Sequence, residues 1–463
     1  MFVAFCAVLT RFYALYATRG VLHPDNLYQL LEPAHRFVFG YGIIPWEYVL
    51  GMRSWLQPLL IAGIFKIGLL FGVWDIESLI LINRAVMVVF SLALLYVVYE
   101  TALLFYGRKA ALYASFFSVF SYVLWLWSAD VNPHVPSALF STVALYIFFR
   151  GLSERSRQLM VYSGLSLGAA FMFRFDALLF VPSLALYALY ERKPKDLTLF
   201  FTGFAAMVVA QGLLDLYTWG VFLKSPIAFF TENILKSRSS MFGTLPFYFY
   251  LGVLGLHQTS LFLLPYAAEK KRESIFLALN AGFFILAYSL VSHKEMRFII
   301  PALPPFFILA GRGLERMVAL YGKRIEVGVV VLTVFLTSVL IVGSFPRGDA
   351  VEALRFVGSC RDSTGVGYFP YWWNVGGYTY LHKKMPLVFI GELVLDPCLE
   401  EIHCSEPDMW ALGFQCSPLP KVVAEPGINY VITENESMET LLPGRGFEKV
   451  QKFGRVYVYR RSD

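Results

Sequence analysis

The sequence predicts a polytopic α-helical membrane protein with a small soluble α/β domain at its C-terminal end. Three observations predict it. Apolar and aromatic residues make up 57% of the 463 residues and charged ones only 16%, against about 45–50% and about 25% in soluble globular proteins. Apolar segments close to the roughly 20 residues that cross a bilayer recur from the N-terminus to Gly343. Beyond Gly343 the composition turns soluble. The net charge of +6 is too small to argue for a nucleic-acid partner, and membrane proteins gather Lys and Arg in cytoplasmic loops in any case. Membrane lipid is the expected surrounding.

The first segment, residues 2–18, lacks a basic leader and a clear small-x-small cleavage site, so it reads as a first span rather than a removed signal. Further spans are expected near 81–105, 110–127, 136–149, 159–173, 177–190, 197–214, 246–266, 274–291, 299–310 and 327–343. The loops between them are of two kinds. Residues 107–109, 150–157, 191–195, 269–273 and 311–324 are basic. Residues 23–26, 128–134, 174–176, 213–220 and 292–298 carry His, Asp, Asn, Glu and Trp in place of a simple charge run. The two kinds alternate, and the positive-inside rule puts the basic kind in the cytoplasm and the other kind outside. Residues 56–74 would break this alternation as a full crossing. They are expected to be a re-entrant or interfacial part of a large first outer loop, 19–78, the alternative being a true span.

The organisation expected is therefore a membrane module, 1–344, and a soluble domain, 345–463, on the outer side. Within the latter, VGYFPYW, PLVFIGEL, INYVIT and GRVYVYRR read as short strands, while VEALRFVGS and ESMETLLPG read as helix pieces. Four of the five cysteines, Cys360, Cys398, Cys404 and Cys416, fall there. They suit a disulfide framework in an oxidising compartment, with the pairing open. No Cys-x-x-Cys favours zinc, and Asn435-Glu436-Ser437 is a lone glycosylation sequon.

Ionisable residues near a hydrocarbon core are costly and tend to be functional. Asp25 follows the first span directly. It can serve as a general base toward a hydroxyl, or cap the helix that HPDNLYQLLEPAH would start. His293, Lys294 and Arg297 sit between two apolar spans and can meet a phosphate. Glu32, Asp130, Arg174 and Asp215 are candidates for orienting substrate hydroxyls, with Arg174 and Asp176 a candidate ion pair. Arg11 and Arg84 lie inside apolar runs, where a nearby carboxylate is the simplest partner. Asp130 with His134 invites a metal, but without tight ligand spacing no metal is expected. There is no P-loop, Gly-x-Gly-x-x-Gly or His-Glu-x-x-His motif, which argues against a nucleotide donor. No cofactor is expected.

HPDNLYQLLEPAHRFVFGYGIIPWEY followed by GMRSWLQPLL resembles the first outer loop of the Alg9-like mannosyltransferases, glycosyltransferase family 22. LLDLYTWG and HKEMRFIIPALPPF follow in the family's order. The tail, with NYVIT and GFEKVQKFGRVYVYRR, is similar to the members that add the third mannose of the glycosylphosphatidylinositol core. The resemblance implies the GT-C glycosyltransferase fold and no metal. It also implies inverting transfer of mannose from polyprenyl (dolichyl) phosphate mannose to a lipid-linked glycan, an α-1,2 linkage being suggested, at the lumenal or extracytoplasmic face. The family usually has two acids after His-Pro. Here they are Asp25 and Asn26, which leaves the base to Asp25 and puts a second acid in doubt.

Two rivals stand beside this reading: a GT-C transferase using another lipid-linked sugar or a protein acceptor, and a transporter of lipid-linked sugar. A transporter places ionisable groups at mid-membrane and often shows repeats, whereas here they gather at one face. The loop alternation predicts that a membrane-impermeant thiol reagent modifies cysteines placed in 292–298 and spares those in 150–157. The reverse pattern would invert the topology and the assignment of the active face.

Overall fold

The computed structural model describes residues 2–257, 259–267, 271–369, 376–391, 415–436 and 438–462. The chain divides into two compact units: residues 1–16, 54–56 and 84–344, and residues 17–53, 57–83 and 345–463. The switch at 344/345 is where the composition turns soluble. The first outer loop and residues 57–83 group with the C-terminal segment.

The first unit is helical, and each apolar segment picked out by the sequence within it falls on helix. Among the described residues, six helices are long and apolar enough to cross a membrane: Ile76–Tyr106, His134–Glu154, Pro194–Trp219, Arg272–Leu290, Met296–Tyr321 and Lys323–Ile341. Phe2–Ala17 and Phe175–Tyr190 are shorter apolar helices. Met296–Tyr321 is buried along most of its length and forms the core of the bundle, whereas Lys323–Ile341 shows its Val and Leu side chains outward, as a lipid-facing helix must. Helix Arg157–Phe173 approaches Pro194–Trp219 backbone to backbone. A Cβ at Gly164 would stand 1.9 Å from the Phe200 carbonyl, and one at Gly203 2.1 Å from that of Val161. Close approach at small residues replaces the hydrophobic drive that lipid cannot supply.

Arg11, fully buried, corrects the expectation of a carboxylate partner. Its guanidinium donates to the Ser91 hydroxyl at 3.2 Å, the Thr10 hydroxyl at 3.0 Å and the Val119 carbonyl at 2.8 Å. Val119 ends helix Arg108–Val119, so the cation meets the negative end of a helix instead of an acid. Arg84 does meet a carboxylate, with Nε 3.8 Å from Asp130 Oδ1.

The second unit is built on a six-stranded sheet. Its strands are β1 (Val366–Phe369), β2 (Leu387–Gly391), β3 (Gln415–Pro418), β4 (Tyr430–Thr433), β5 (Phe447–Phe453) and β6 (Val456–Arg461). The order is β3-β2-β1-β4-β6-β5. The first four strands are parallel and the last two close as an antiparallel hairpin, with an irregularity between Lys449 and Gln451. The four segments read as strands contain β1, β2, β4 and β6, and the two helix pieces are Asp349–Ser359 and Met438–Leu441. Ile390, Val422, Ile428, Val431, Leu442 and Phe447 pack one core. The disulfide framework and the sequon turn on Cys398, Cys404, Ser437 and the side chain of Cys416, which lie outside the described residues, as do Glu269 and Lys270 of one basic loop. Leu56–Leu70 is a single 15-residue helix, about 22 Å long at 1.5 Å per residue, short of the roughly 30 Å hydrocarbon core.

Candidate functional site

The first outer loop begins with a cap, and the cap is not Asp25. His23 precedes the helical turn Pro24–Asn26, and its Nδ1 accepts the Asp25 amide at 3.2 Å. Pro24 takes the first helical position, where a missing N–H costs nothing. Asp25 therefore lies within the first turn, where the helix dipole favours an anion. Its carboxylate is 35% exposed and 3.8 Å from His23 Nδ1. Asn26, standing where the family's second acid is expected, is buried.

Two further acids of this loop, Glu32 and Glu47, are buried. Both oxygens of Glu32 are taken by the protein: Oε2 accepts the Ile43 amide at 2.9 Å, and Oε1 accepts the amide and hydroxyl of Thr379 at 2.6 and 2.7 Å. That arrangement turns Glu32 from the substrate contact the sequence suggested into a support of the fold. Burial pushes its carboxyl up to about 7 against the pull of those hydrogen bonds. Glu47, which the sequence reading did not single out, accepts Gln29 Nε2 at 2.7 Å and lies 3.8 Å from Arg53. Burial raises it to about 7; Arg53 opposes the rise and the negative charge of Asp25 adds to it. Glu47 was missed because it follows Trp46 in a short apolar stretch that reads as interfacial, and only the fold brings Gln29 to it.

In the first unit Arg174, Asp176, Tyr288 and His134 form one buried network. Arg174 Nε donates to Asp176 at 2.9 Å, confirming the expected pair, and its other nitrogens reach Tyr288 Oη at 3.1 Å and His134 Nε2 at 3.2 Å. Tyr288 also donates to Asp176. Since a guanidinium can only donate, His134 Nε2 is an acceptor here. Among the described residues no three His, Cys, Asp or Glu side chains gather as a metal site does. Asp130 accepts the Val131 amide at 2.9 Å. Asn132 shapes the same loop, accepting the amides of His134 and Val135 at 3.0 Å each. Asp215, at the end of Pro194–Trp219, accepts the amide and hydroxyl of Ser225 and the Gln211 amide. It is fully buried and anchors the following loop.

The His293–Arg297 loop holds its charges unequally. Arg297 makes a two-pronged pair with Glu295, at 2.6 and 3.0 Å, and lies over the rings of Trp127 and Phe298 at 5.4 and 5.5 Å. His293 faces Glu295 through Nε2 at 3.1 Å and the Gly243 carbonyl through Nδ1 at 3.0 Å. Both partners accept, and the Glu295 bond raises the imidazole above its ordinary value. Lys294 turns inward: its ammonium donates to the carbonyls of Leu245 and Val291, and burial lowers it. It closes the end of helix Arg272–Leu290, a structural task in place of the phosphate contact expected of it. Lys294 and Arg297 against the single carboxylate of Glu295 leave this corner positive.

Glu47 offers a direct electrostatic test. A carboxyl raised on folding binds its proton more tightly in the folded chain, so the stability it contributes is present below about 4.5 and lost as the pH climbs through about 7. Glu47→Gln keeps the shape and removes the titration. The stability difference between the native protein and Glu47→Gln, measured by thermal unfolding in detergent, should fall between these pH values and be flat outside them. A difference that grows with pH would mean that Glu47 is held ionised.

Residues 2–357 match the model of the Alg9-like mannosyltransferase family. GPI mannosyltransferase 3 of Yarrowia lipolytica is 27% identical over 380 residues, covering 81% of this chain and 73% of that one. GPI alpha-1,2-mannosyltransferase 3 of Bos taurus is 28% identical over 303 residues, covering 64% of this chain and 55% of that one. The matched part thus spans little more than half of the bovine protein. The fold is that of ArnT from Cupriavidus metallidurans bound to undecaprenyl phosphate, with a TM-score of 0.63 at 12% identity over 99% of this chain and 97% of that one. The helical membrane unit, the polar first loop and the C-terminal sheet are thus those of the GT-C architecture, and the chain belongs to the Alg9-like mannosyltransferase family.

Proposed function

We propose that this protein is an inverting mannosyltransferase that moves mannose from polyprenyl (dolichyl) phosphate mannose to a hydroxyl of a lipid-linked glycan, forming an α-1,2 linkage on the extracytoplasmic side. Relatives named as GPI mannosyltransferases support the sugar and the glycan class, and the fold shared with a protein bound to undecaprenyl phosphate supports a polyprenyl phosphate leaving group. The observation that carries the reading is the position of Asp25. It is a partly exposed carboxylate just past the helix cap, at the head of the run that continues into helix Glu32–Phe39, whereas Glu32 and Glu47 are buried.

In this reading Asp25 takes the proton of the acceptor hydroxyl. The oxygen forms its bond to the anomeric carbon on the face opposite the phosphate, and the bond from that carbon to the phosphate oxygen breaks, its electrons leaving with polyprenyl phosphate. The leaving group gathers negative charge, which fixed cations stabilise most effectively in a site arranged beforehand. His293 and Arg297 are assigned that work. Lys294 and Glu32 hold the segments that carry these groups, Asp215 anchors the loop after Pro194–Trp219, and Arg174 with Asp130 orders the neighbouring polar network.

Asp25→Asn tests the base. Asn keeps the size and removes the proton acceptor, so turnover with purified polyprenyl phosphate mannose and a labelled acceptor glycan should fall on the order of a hundred- to ten-thousandfold, with donor binding retained. The product of the native enzyme should yield to an α-1,2-specific mannosidase. Near-native turnover of a folded Asp25→Asn protein would remove Asp25 from the chemistry. Arg297→Ala should raise the donor KM or lower kcat by about ten- to a hundredfold, as loss of a charge-assisted hydrogen bond does. Arg297→Lys should recover only part, because a point charge lacks the fork. Unchanged donor kinetics in the alanine variant would take the phosphate contact away from Arg297.

A further inference from the structure

Asp25 does not sit on a free loop. The turn Pro24–Asn26 runs through a π-helical turn, Leu27–Leu31, into helix Glu32–Phe39 without a break. The widened turn is fixed from the side, where the Tyr48 hydroxyl donates to the Gln29 carbonyl at 2.7 Å. Whatever holds the far end of this run therefore sets the position of Asp25. Seven residues, about two turns, separate Asp25 from Glu32.

The far end is held by the C-terminal segment, at two points one helical turn apart. Glu32 and His35 face Thr379 and His382, so a pair spaced three residues apart meets another pair with the same spacing. Glu32 Oε1 accepts the Thr379 amide and hydroxyl at 2.6 and 2.7 Å. His35 Nε2 lies 3.1 Å from His382 Nδ1, and His35 Nδ1 lies 3.1 Å from the Tyr41 carbonyl. A carbonyl only accepts, so Nδ1 of His35 carries its proton, and Nε2 must accept from His382. Both His35 and Glu32 are fully buried. The receiving turn is shaped for the carboxylate: Gly376 and Gly377 have φ of +95° and +54°, and a Cβ on Gly377 would stand 2.5 Å from Glu32 Oε1. Glycine is needed there twice over, for the left-handed backbone and for the approach.

We infer that Thr379 and His382 are positioning residues for catalysis, through which the C-terminal segment sets the helix that carries Asp25. The inference rests on the reading of Asp25 as the base. Neither residue touches substrate in this account; each acts through Glu32 or His35 on the placement of the carboxylate, and a displacement on the order of 1 Å at a reacting group costs about a hundredfold in rate.

The test is a set of variants assayed for kcat and donor KM with polyprenyl phosphate mannose and a labelled acceptor glycan. Thr379→Val removes the hydroxyl bond and keeps the volume, and Thr379→Ser restores the bond. His382→Ala removes the donor, and His382→Asn returns an N–H near the Nδ1 position. Thr379→Val and His382→Ala should lower kcat by about ten- to a hundredfold with donor KM within about threefold, and Thr379→Ser and His382→Asn should recover most of it. Placed on Asp25→Asn, Thr379→Val should cost nothing more, because the group it positions is gone. Unchanged kcat in both Thr379→Val and His382→Ala, or an equal loss with and without Asp25, overturns the inference. Native turnover in Asp25→Asn alone overturns the base reading instead. If Thr379→Val fails to fold, the His382 pair decides by the same criterion.

Discussion

A charge removed from water has to be solvated by the protein, and most of the polar architecture here follows from that one demand. Glu32 takes three donors from two segments of the chain. Arg11 is satisfied by hydroxyls and by the carbonyls that end a helix. Asp215 collects Ser225 and Gln211. An unpaired buried charge would cost several kcal/mol or titrate away, so each such residue dictates which loop lies beside it. The buried acids and bases act as joints, and the partly exposed Asp25 differs from them because its solvation is left partly to water.

Much of this was legible in the sequence. The apolar segments, the change of character after Gly343 and the alternation of basic and polar loops follow from composition and period, which act locally. Arg174 with Asp176 and Arg84 with Asp130 could be guessed because a buried guanidinium needs company. The roles of Glu32, Lys294 and Glu47 could not. Each depends on a partner far along the chain or on the direction a side chain turns: Thr379 for the first, the Leu245 carbonyl for the second, Gln29 for the third. Local patterning also offered Asp25 as a helix cap. His23 holds that place because Pro24 takes the first helical position, which moves Asp25 into the turn.

The His293–Arg297 loop shows how a cationic corner can be kept in a low-dielectric setting. Glu295 neutralises one charge and orients two side chains, Arg297 by its fork and His293 by one ring nitrogen. The aromatic faces of Trp127 and Phe298 take part of the remaining field. Such a corner is built before any ligand arrives, so in the proposed reaction little reorganisation would be needed as the leaving phosphate gathers charge.

The joint between Glu32 and Thr379 also bears on how the chain is made. The two residues are 347 positions apart, and ribosomes add about 5–20 residues per second. Glu32 is thus synthesised about 17 to 70 seconds before the residue that solvates it. Throughout that interval the first loop carries an acid that has Ile43 but still lacks its Thr379 partner, while the helices between them enter the bilayer. The loop therefore completes its packing only after residue 379 has been made, and a chain cut short before it would leave the first loop unfinished.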